Sequence, residues 1–231
     1  MLFVKVPFVN GLGKTKGCEK ASDLIVRKKK ALEIKVDNEN IEESIKRIYN
    51  EALKLFKTKE KVLFIGGDHS ISYPLAKAFA KTRKEKKYLV VFDAHADCMT
   101  RMKEPTHEEW LRAVLEEKLF DKIFLIGTRK IEPEEKKFLE KRKEVVIGKI
   151  ETDNVCCVYL SIDIDVFDPR IAPATGYKEK GGMKLKEFYE LFDRLKDKAK
   201  AIDLVEVNPE KDLNGKTIKL ARELIKRLKE K

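Results

Sequence analysis

Seven residues of this 231-residue chain have types and spacings that suit divalent-metal chemistry. Asp93, His95 and Asp97 stand two apart in Asp93-Ala94-His95-Ala96-Asp97, and Asp163 and Asp165 stand two apart in Asp163-Ile164-Asp165. His69 follows Gly66-Gly67-Asp68, and Glu206 sits in Val205-Glu206-Val207-Asn208-Pro209. In an extended segment, residues two apart point the same way. Asp93, His95 and Asp97 are therefore expected to face one point, and Asp163 and Asp165 likewise. Four carboxylates crowded at an apolar sheet end repel one another and carry a heavy desolvation cost. Two divalent cations balance the charges of Asp93, Asp97, Asp163 and Asp165 and leave His69 and His95 to ligate as neutral imidazoles. Carboxylate-rich, thiol-free ligation suits Mn²⁺ better than structural Zn²⁺. Two such ions, roughly 3.5–4 Å apart, lower the pKa of a shared water and make it nucleophilic at neutral pH. A lone Asp-x-Asp is usually a turn or a cap, and a lone Gly-Gly-Asp-His a tight turn. Their coincidence at strand ends carries the reading.

Short apolar runs supply those strand ends. Strands are expected at Leu2–Val6, Glu33–Val36, Val62–Ile65, Tyr88–Phe92, Lys122–Ile126, Val145–Ile147, Val155–Ile162 and Ala201–Val207. Runs such as VLFI and YLVVF are apolar throughout, as strands buried on both faces are. Between the strands lie amphipathic helices. Ile41–Phe56 places Ile41, Ile45, Ile48, Ala52 and Leu55 on one face, with Asn40 as N-cap and Glu43 reaching back to it. Ile218–Leu228 carries the stripe Ile218, Ala221, Leu224, Ile225 and Leu228. Alternating strands and helices predict one α/β domain over residues 1–231, with three layers: a mostly parallel central sheet and helices on both faces. In such sheets chemistry gathers past the C-terminal ends of the strands.

Composition narrows the function classes. The net charge of +11 comes from Lys/Glu-rich helices with acids interspersed, without a basic tail or aromatic interleaving. That is a solvated surface, and no nucleic-acid partner is expected. No apolar run is long enough to span a membrane, and the N-terminus lacks a signal peptide's pattern. Cys18, Cys98, Cys156 and Cys157 form no C-x-x-C pair, so reduced thiols and a cytoplasmic location are expected. Gly11-Leu12-Gly13-Lys14-Thr15 ends like a phosphate-binding loop, but that motif needs Gly at position 8, which is Phe. Nucleotide binding is set aside.

The segments GGDHS, DAHAD and SIDIDVFDP, in that order, resemble the three metal signatures of the ureohydrolase family, which includes arginase and agmatinase, and IDLVEVNP resembles its final active-site strand. The resemblance runs from about Val62 to Pro209 and implies an arginase-like fold. It also implies two Mn²⁺ ions, one held by His69, Asp93, Asp97 and Asp163 and the other by Asp93, His95, Asp163 and Asp165. Glu206 then matches the carboxylate that receives the guanidinium of a small-molecule guanidino substrate, a geometry suited to a planar cation. Asp97 matches the residue that positions the attacking oxygen. His107 stands where the family places a histidine that carries protons to the leaving amine, chemistry an imidazole suits. The implied reaction yields urea and an amine, and similar proteins form homo-oligomeric trimers or hexamers.

Departures from the family pattern bear on the substrate. Glu108 follows His107 where the family usually has Gly, and Asp168–Gly182 reads DPRIAPATGYKEKGG where members carry something closer to APGTGTPEPGG, Glu179 keeping the acidic position. The short link from Asp97 to His107 is agmatinase-like. Its Arg101 and Lys103 are expected to face solvent; turned inward, they would favour an anionic tail. Agmatine is the favoured substrate, with arginine or a guanidino acid as the alternatives. Two further readings are a one-zinc deacetylase-type hydrolase, which needs a His-His pair this chain lacks, and a metal-binding protein without significant turnover. A surface histidine opening a helix is the structural alternative for His107.

Overall fold

The computed structural model describes residues 1–26, 31–152 and 155–230. Eight strands form one sheet: β1 (Leu2–Val6), β2 (Leu32–Glu33), β3 (Val62–Gly66), β4 (Lys87–Phe92), β5 (Lys122–Ile126), β6 (Val145–Ile147), β7 (Cys157–Asp163) and β8 (Ala199–Val205). Their order is β2-β1-β3-β8-β7-β4-β5-β6, and every pairing is parallel. The four strands that precede the candidate ligands, β3, β8, β7 and β4, are neighbours at the centre. The sheet thus brings together residues more than a hundred positions apart.

Alternation along these strands feeds two cores. Val62, Phe64, Leu89, Val91 and Tyr159 pack with α2 (Ile41–Thr58), α3 (Ser72–Thr82) and α4 (Trp110–Glu116). Leu63, Ile65, Val90, Phe92 and Leu160 pack on the other face with α1 (Ala21–Ile25), α6 (Leu185–Lys196) and α7 (Lys216–Arg227). A short α5 (Pro133–Leu139) lies between β5 and β6, and Leu139 joins the first core. The three-layer α/β expectation holds, with a sheet that is wholly rather than mostly parallel.

Three local expectations need correction. The edge strand β2 is Leu32–Glu33 rather than Glu33–Val36, because the chain leaves the ladder to lock onto α2, where the Asp37 N–H donates to Ser44 Oγ at 2.8 Å. β8 stops at Val205, since Glu206 adopts a left-handed backbone (φ 63°) that no strand continues. Asn40 does cap α2, accepting from the Glu43 N–H at 3.3 Å, but its own N–H donates to the Asp37 carbonyl. Glu43 pairs instead with Arg47, one turn on.

Candidate metal centre

The candidate ligands leave the C-terminal ends of three central strands, one turn serving each strand. After β3, Gly67 crosses the Phe8 carbonyl so closely that a Cβ there would lie 2.1 Å from the oxygen, which accounts for Gly in this motif. Asp68 ties that turn to the N-terminal loop, accepting from the Asn10 N–H and the Thr15 hydroxyl, each at 2.7 Å. Thr15, the last residue of the discarded phosphate-loop pattern, is thus a structural anchor. After β4 and β7 the chain does not stay extended. The His95 N–H donates to Asp93 Oδ1 at 2.7 Å and the Asp165 N–H to Asp163 Oδ1 at 2.7 Å. The side chains converge because aspartates close local turns, and not by strand alternation as the spacing suggested. Asp97 sits at φ 48°, a strained conformation of the kind that collects at functional sites.

The turns gather all six candidate ligands. His69 Nδ1 lies 3.0 Å from Asp93 Oδ2, 3.0 Å from Asp97 Oδ2 and 3.3 Å from Asp163 Oδ2. His95 Nδ1 lies 2.8 Å from Asp165 Oδ2 and 3.6 Å from Asp93 Oδ1. Two groups with metal-holding geometry result, His69–Asp93–Asp97 and Asp93–His95–Asp165, sharing Asp93. His69 Nδ1 and Asp93 Oδ2 are buried without a hydrogen-bond partner, and a cation satisfies both. The donor set of four carboxylates and two imidazoles therefore fits a pair of hard-to-borderline divalent ions.

The protonation behaviour shows the same crowding. Burial, then the neighbouring Asp165 and Asp93, push the Asp163 carboxyl well up. Burial and Asp93 raise Asp165 and Asp97, the latter to about 7. Burial opposes protonation of His95, but Asp165 and Asp93 outweigh it and raise the imidazole to about 12. His69 is raised likewise by Asp163, Asp93 and Asp97 against its burial.

Glu206 and His107 line the same cavity, of about 330 Å³. Glu206 Oε1 accepts from the His69 N–H at 3.0 Å, while Oε2 faces Gly176, where a Cβ would stand 3.1 Å away. Burial and Asp68 raise its carboxyl well above the usual range. His107 is only 6 % exposed, so the surface alternative does not hold. Neither ring nitrogen has a hydrogen-bond partner, the ring stacks on Tyr177 with centroids 5.7 Å apart, and burial lowers its pKa. Arg101 and Lys103 do turn away, as expected. Arg101 bonds Tyr73 and Glu117, and Lys103 pairs with Glu42.

Four supporting residues escaped the sequence reading. The Trp110 indole donates to Asp97 Oδ2 at 2.7 Å. Ser161 and Asp203 stand beneath His69, where His69 Nε2 is 2.9 Å from Ser161 Oγ and that hydroxyl donates to Asp203 Oδ1 at 2.6 Å. The Arg129 guanidinium donates to the carbonyls of Gly127, Asp165, Val166, Glu179 and Lys180, which fastens the Asp165 turn to the cavity loop. Polar residues inside apolar strands were the available signal for Ser161 and Asp203, which the sheet pairs directly.

Comparison with known proteins agrees with this architecture. Residues 9–229 match the Arginase family. The chain is 27 % identical over 206 residues to Arginase 1, mitochondrial, of Arabidopsis thaliana, covering 81 % of this chain and 60 % of that one. It therefore spans about 60 % of the length of that curated relative. Its fold is similar to the proclavaminate amidino hydrolase of Streptomyces clavuligerus (TM-score 0.85, 24 % identity, 98 % of this chain and 89 % of that chain). It is also similar to the agmatine ureohydrolase of Thermoplasma volcanium (TM-score 0.82, 24 % identity, 98 % and 87 %). No described helix is long and apolar enough to cross a membrane.

Proposed function

The chain belongs to the Arginase family, and from that premise we propose that it is a two-manganese hydrolase that cleaves a guanidinium C–N bond to urea and an amine. One observation carries the reading: two ligand groups, His69–Asp93–Asp97 and Asp93–His95–Asp165, share a single buried carboxylate. In this reading His69, Asp93, Asp97 and Asp163 hold one ion, and Asp93, His95, Asp163 and Asp165 hold the other. When bound, the ions supply a Lewis-acidic pair that makes water nucleophilic at neutral pH.

The chain's own residues do the rest. Glu206 receives the guanidinium on Oε2, its Oε1 being held by the His69 N–H. Asp97, anchored by Trp110, orients the attacking water. His107 passes a proton to the departing amine nitrogen; its depressed pKa keeps it neutral, ready to take a proton up and hand it on. The stack on Tyr177 limits where its ring can turn.

The cavity's charge supports an agmatinase-like preference. Beyond the ligands its wall carries Glu108, Glu132 and Glu179, and its one lysine among the described lining residues, Lys130, is paired with Glu132 at 3.0 Å. Such a wall favours a substrate whose far end is a cation, as agmatine's is, over arginine or a guanidino acid. That substrate would place the protein in polyamine metabolism. The test is urea release by the manganese-loaded chain from agmatine, arginine and 4-guanidinobutyrate. Agmatine should lead. Manganese binding without urea from any of the three would overturn the hydrolase reading and leave a metal-binding protein.

A further inference from the structure

The two positions where the chain departs from the family's loops meet in space. Tyr177 donates its hydroxyl to Glu108 Oε1 at 3.3 Å, although the residues are 69 positions apart. Lys14, from the N-terminal loop, places Nζ 3.4 Å from the same oxygen and 5.4 Å from the centroid of the Tyr177 ring. A carboxylate beside an aromatic face is a binding arrangement for an alkylammonium group. Lys14 is itself an alkylammonium, occupying that arrangement from within the chain.

We propose that Glu108 and Tyr177 are the receptor for the cationic far end of the substrate, and that Lys14 is a resident occupant which the substrate displaces. The inference rests on the guanidine-hydrolase reading above. Position favours it. Gly176 abuts Glu206 Oε2, and the next side chain, Tyr177, reaches Glu108. The guanidinium carboxylate and the proposed ammonium carboxylate line the same cavity, with Tyr177 also in its wall. The Tyr177 ring also lies 6.0 Å from the His95 ring and stacks on His107, so the receptor opens onto the reacting centre.

The energetics favour exchange as well. Lys14 and Glu108 side chains are 58 % and 37 % exposed, and exposed pairs of this length contribute little. A substrate already anchored at Glu206 presents its ammonium at high effective concentration and replaces Lys14 readily. Glu108 also lies 3.6 Å from His107 Nε2, so occupancy of the receptor is felt at the proton carrier.

Two variants of the full manganese-loaded chain, Lys14→Met and Glu108→Gln, decide the matter with three probes: agmatine, butylguanidine (the same molecule without the ammonium) and 4-guanidinobutyrate. Both urea release and calorimetric binding are read. The agmatine-to-butylguanidine ratio of kcat/KM, and of affinity, should fall about fivefold in Glu108→Gln and rise by a similar factor in Lys14→Met. Ratios unchanged in both variants would overturn the receptor. So would a loss of 4-guanidinobutyrate binding in Lys14→Met, which would make Lys14 the receptor of an anionic tail. If the parent chain releases no urea from any probe, the hydrolase reading fails, while the binding ratios still decide the receptor.

Discussion

His69 meets Ser161 through the one ring nitrogen that faces away from the carboxylates, Nε2 lying 2.9 Å from Ser161 Oγ. Ser161 has one hydroxyl hydrogen, and Asp203 Oδ1 takes it at 2.6 Å. The serine oxygen therefore accepts from Nε2–H, so that when the ring is neutral its lone pair lies on Nδ1, the atom that points at Asp93, Asp97 and Asp163. Asp203 is held in turn by Tyr159 at 2.6 Å and Ser72 at 2.9 Å, so the relay is fixed from below.

Removing Ser161 should loosen the metal. Ser161→Ala deletes a buried hydroxyl and frees the His69 ring to choose the wrong tautomer. Manganese affinity should fall about 10- to 100-fold, the usual cost of losing such a supporting group. Metal titration followed by electron paramagnetic resonance measures it. Unchanged affinity would remove Ser161 from the centre's design.

Ligand and substrate residues should separate cleanly. Asp165→Ala is expected to lose metal and activity together, while Glu206→Ala keeps metal and loses substrate capture, seen as a raised KM. Glu206→Gly carries a further signature. Glu206 holds φ 63°, a conformation costing a non-glycine residue about 1–2 kcal/mol, and its buried carboxyl is disfavoured in charged form. Thermal melting should show Glu206→Gly above Glu206→Ala, since both lose the bond from the His69 N–H and only glycine relieves the backbone. A lower melting temperature than Glu206→Ala would mean that the backbone strain is not where it is placed here.

The candidate ligands that the fold brings together were readable beforehand because they lie in three contiguous runs, each directly after an apolar strand. The mechanism of convergence was not. Alternation predicted extended ligands, whereas Asp93 and Asp163 close turns on His95 and Asp165 with their own carboxylates. Nor were the loop contacts legible. Tyr177, Glu108 and Lys14 come from three separate connections, and only the sheet order decides that these end on one rim. Ser161 and Asp203 left a signal, a polar residue in each of two apolar runs. It becomes meaningful once β7 and β8 are known to be neighbours in that register.

Arg129 offers a test of how far the cavity loop depends on one side chain. Its guanidinium satisfies carbonyls on both the Asp165 turn and the Glu179–Lys180 segment. Lysine cannot reproduce that fork of planar donors. Arg129→Lys should leave carbonyls unpaired, destabilise the chain by about 1–3 kcal/mol and speed proteolytic cleavage within residues 168–182. Chemical denaturation and limited proteolysis give the two readouts. An unchanged cleavage rate would show that the loop is held by other means.

Metal uptake should expel protons, and the sign of its pH dependence follows from the pocket. In the chelated protein His95 is raised to about 12 and His69 well above its ordinary value, so both imidazoles hold protons at neutral pH. Ligation needs them neutral. Calorimetry in buffers of different ionisation enthalpy should therefore report proton release on adding Mn²⁺. The raised groups also set the stability of the chelated fold. A histidine raised in the folded state contributes fully below its unfolded pKa and loses that contribution as pH rises through the folded value. Asp97 at about 7, and Asp163, Asp165 and Glu206 pushed up by burial, have the same sign, because each must ionise in a crowded site as pH rises. The chelated chain should thus melt lower at about pH 9 than at about pH 6, and the stabilisation gained from Mn²⁺ should grow over the same interval. A metal increment that shrinks with rising pH would contradict carboxylate and imidazole ligation at this centre.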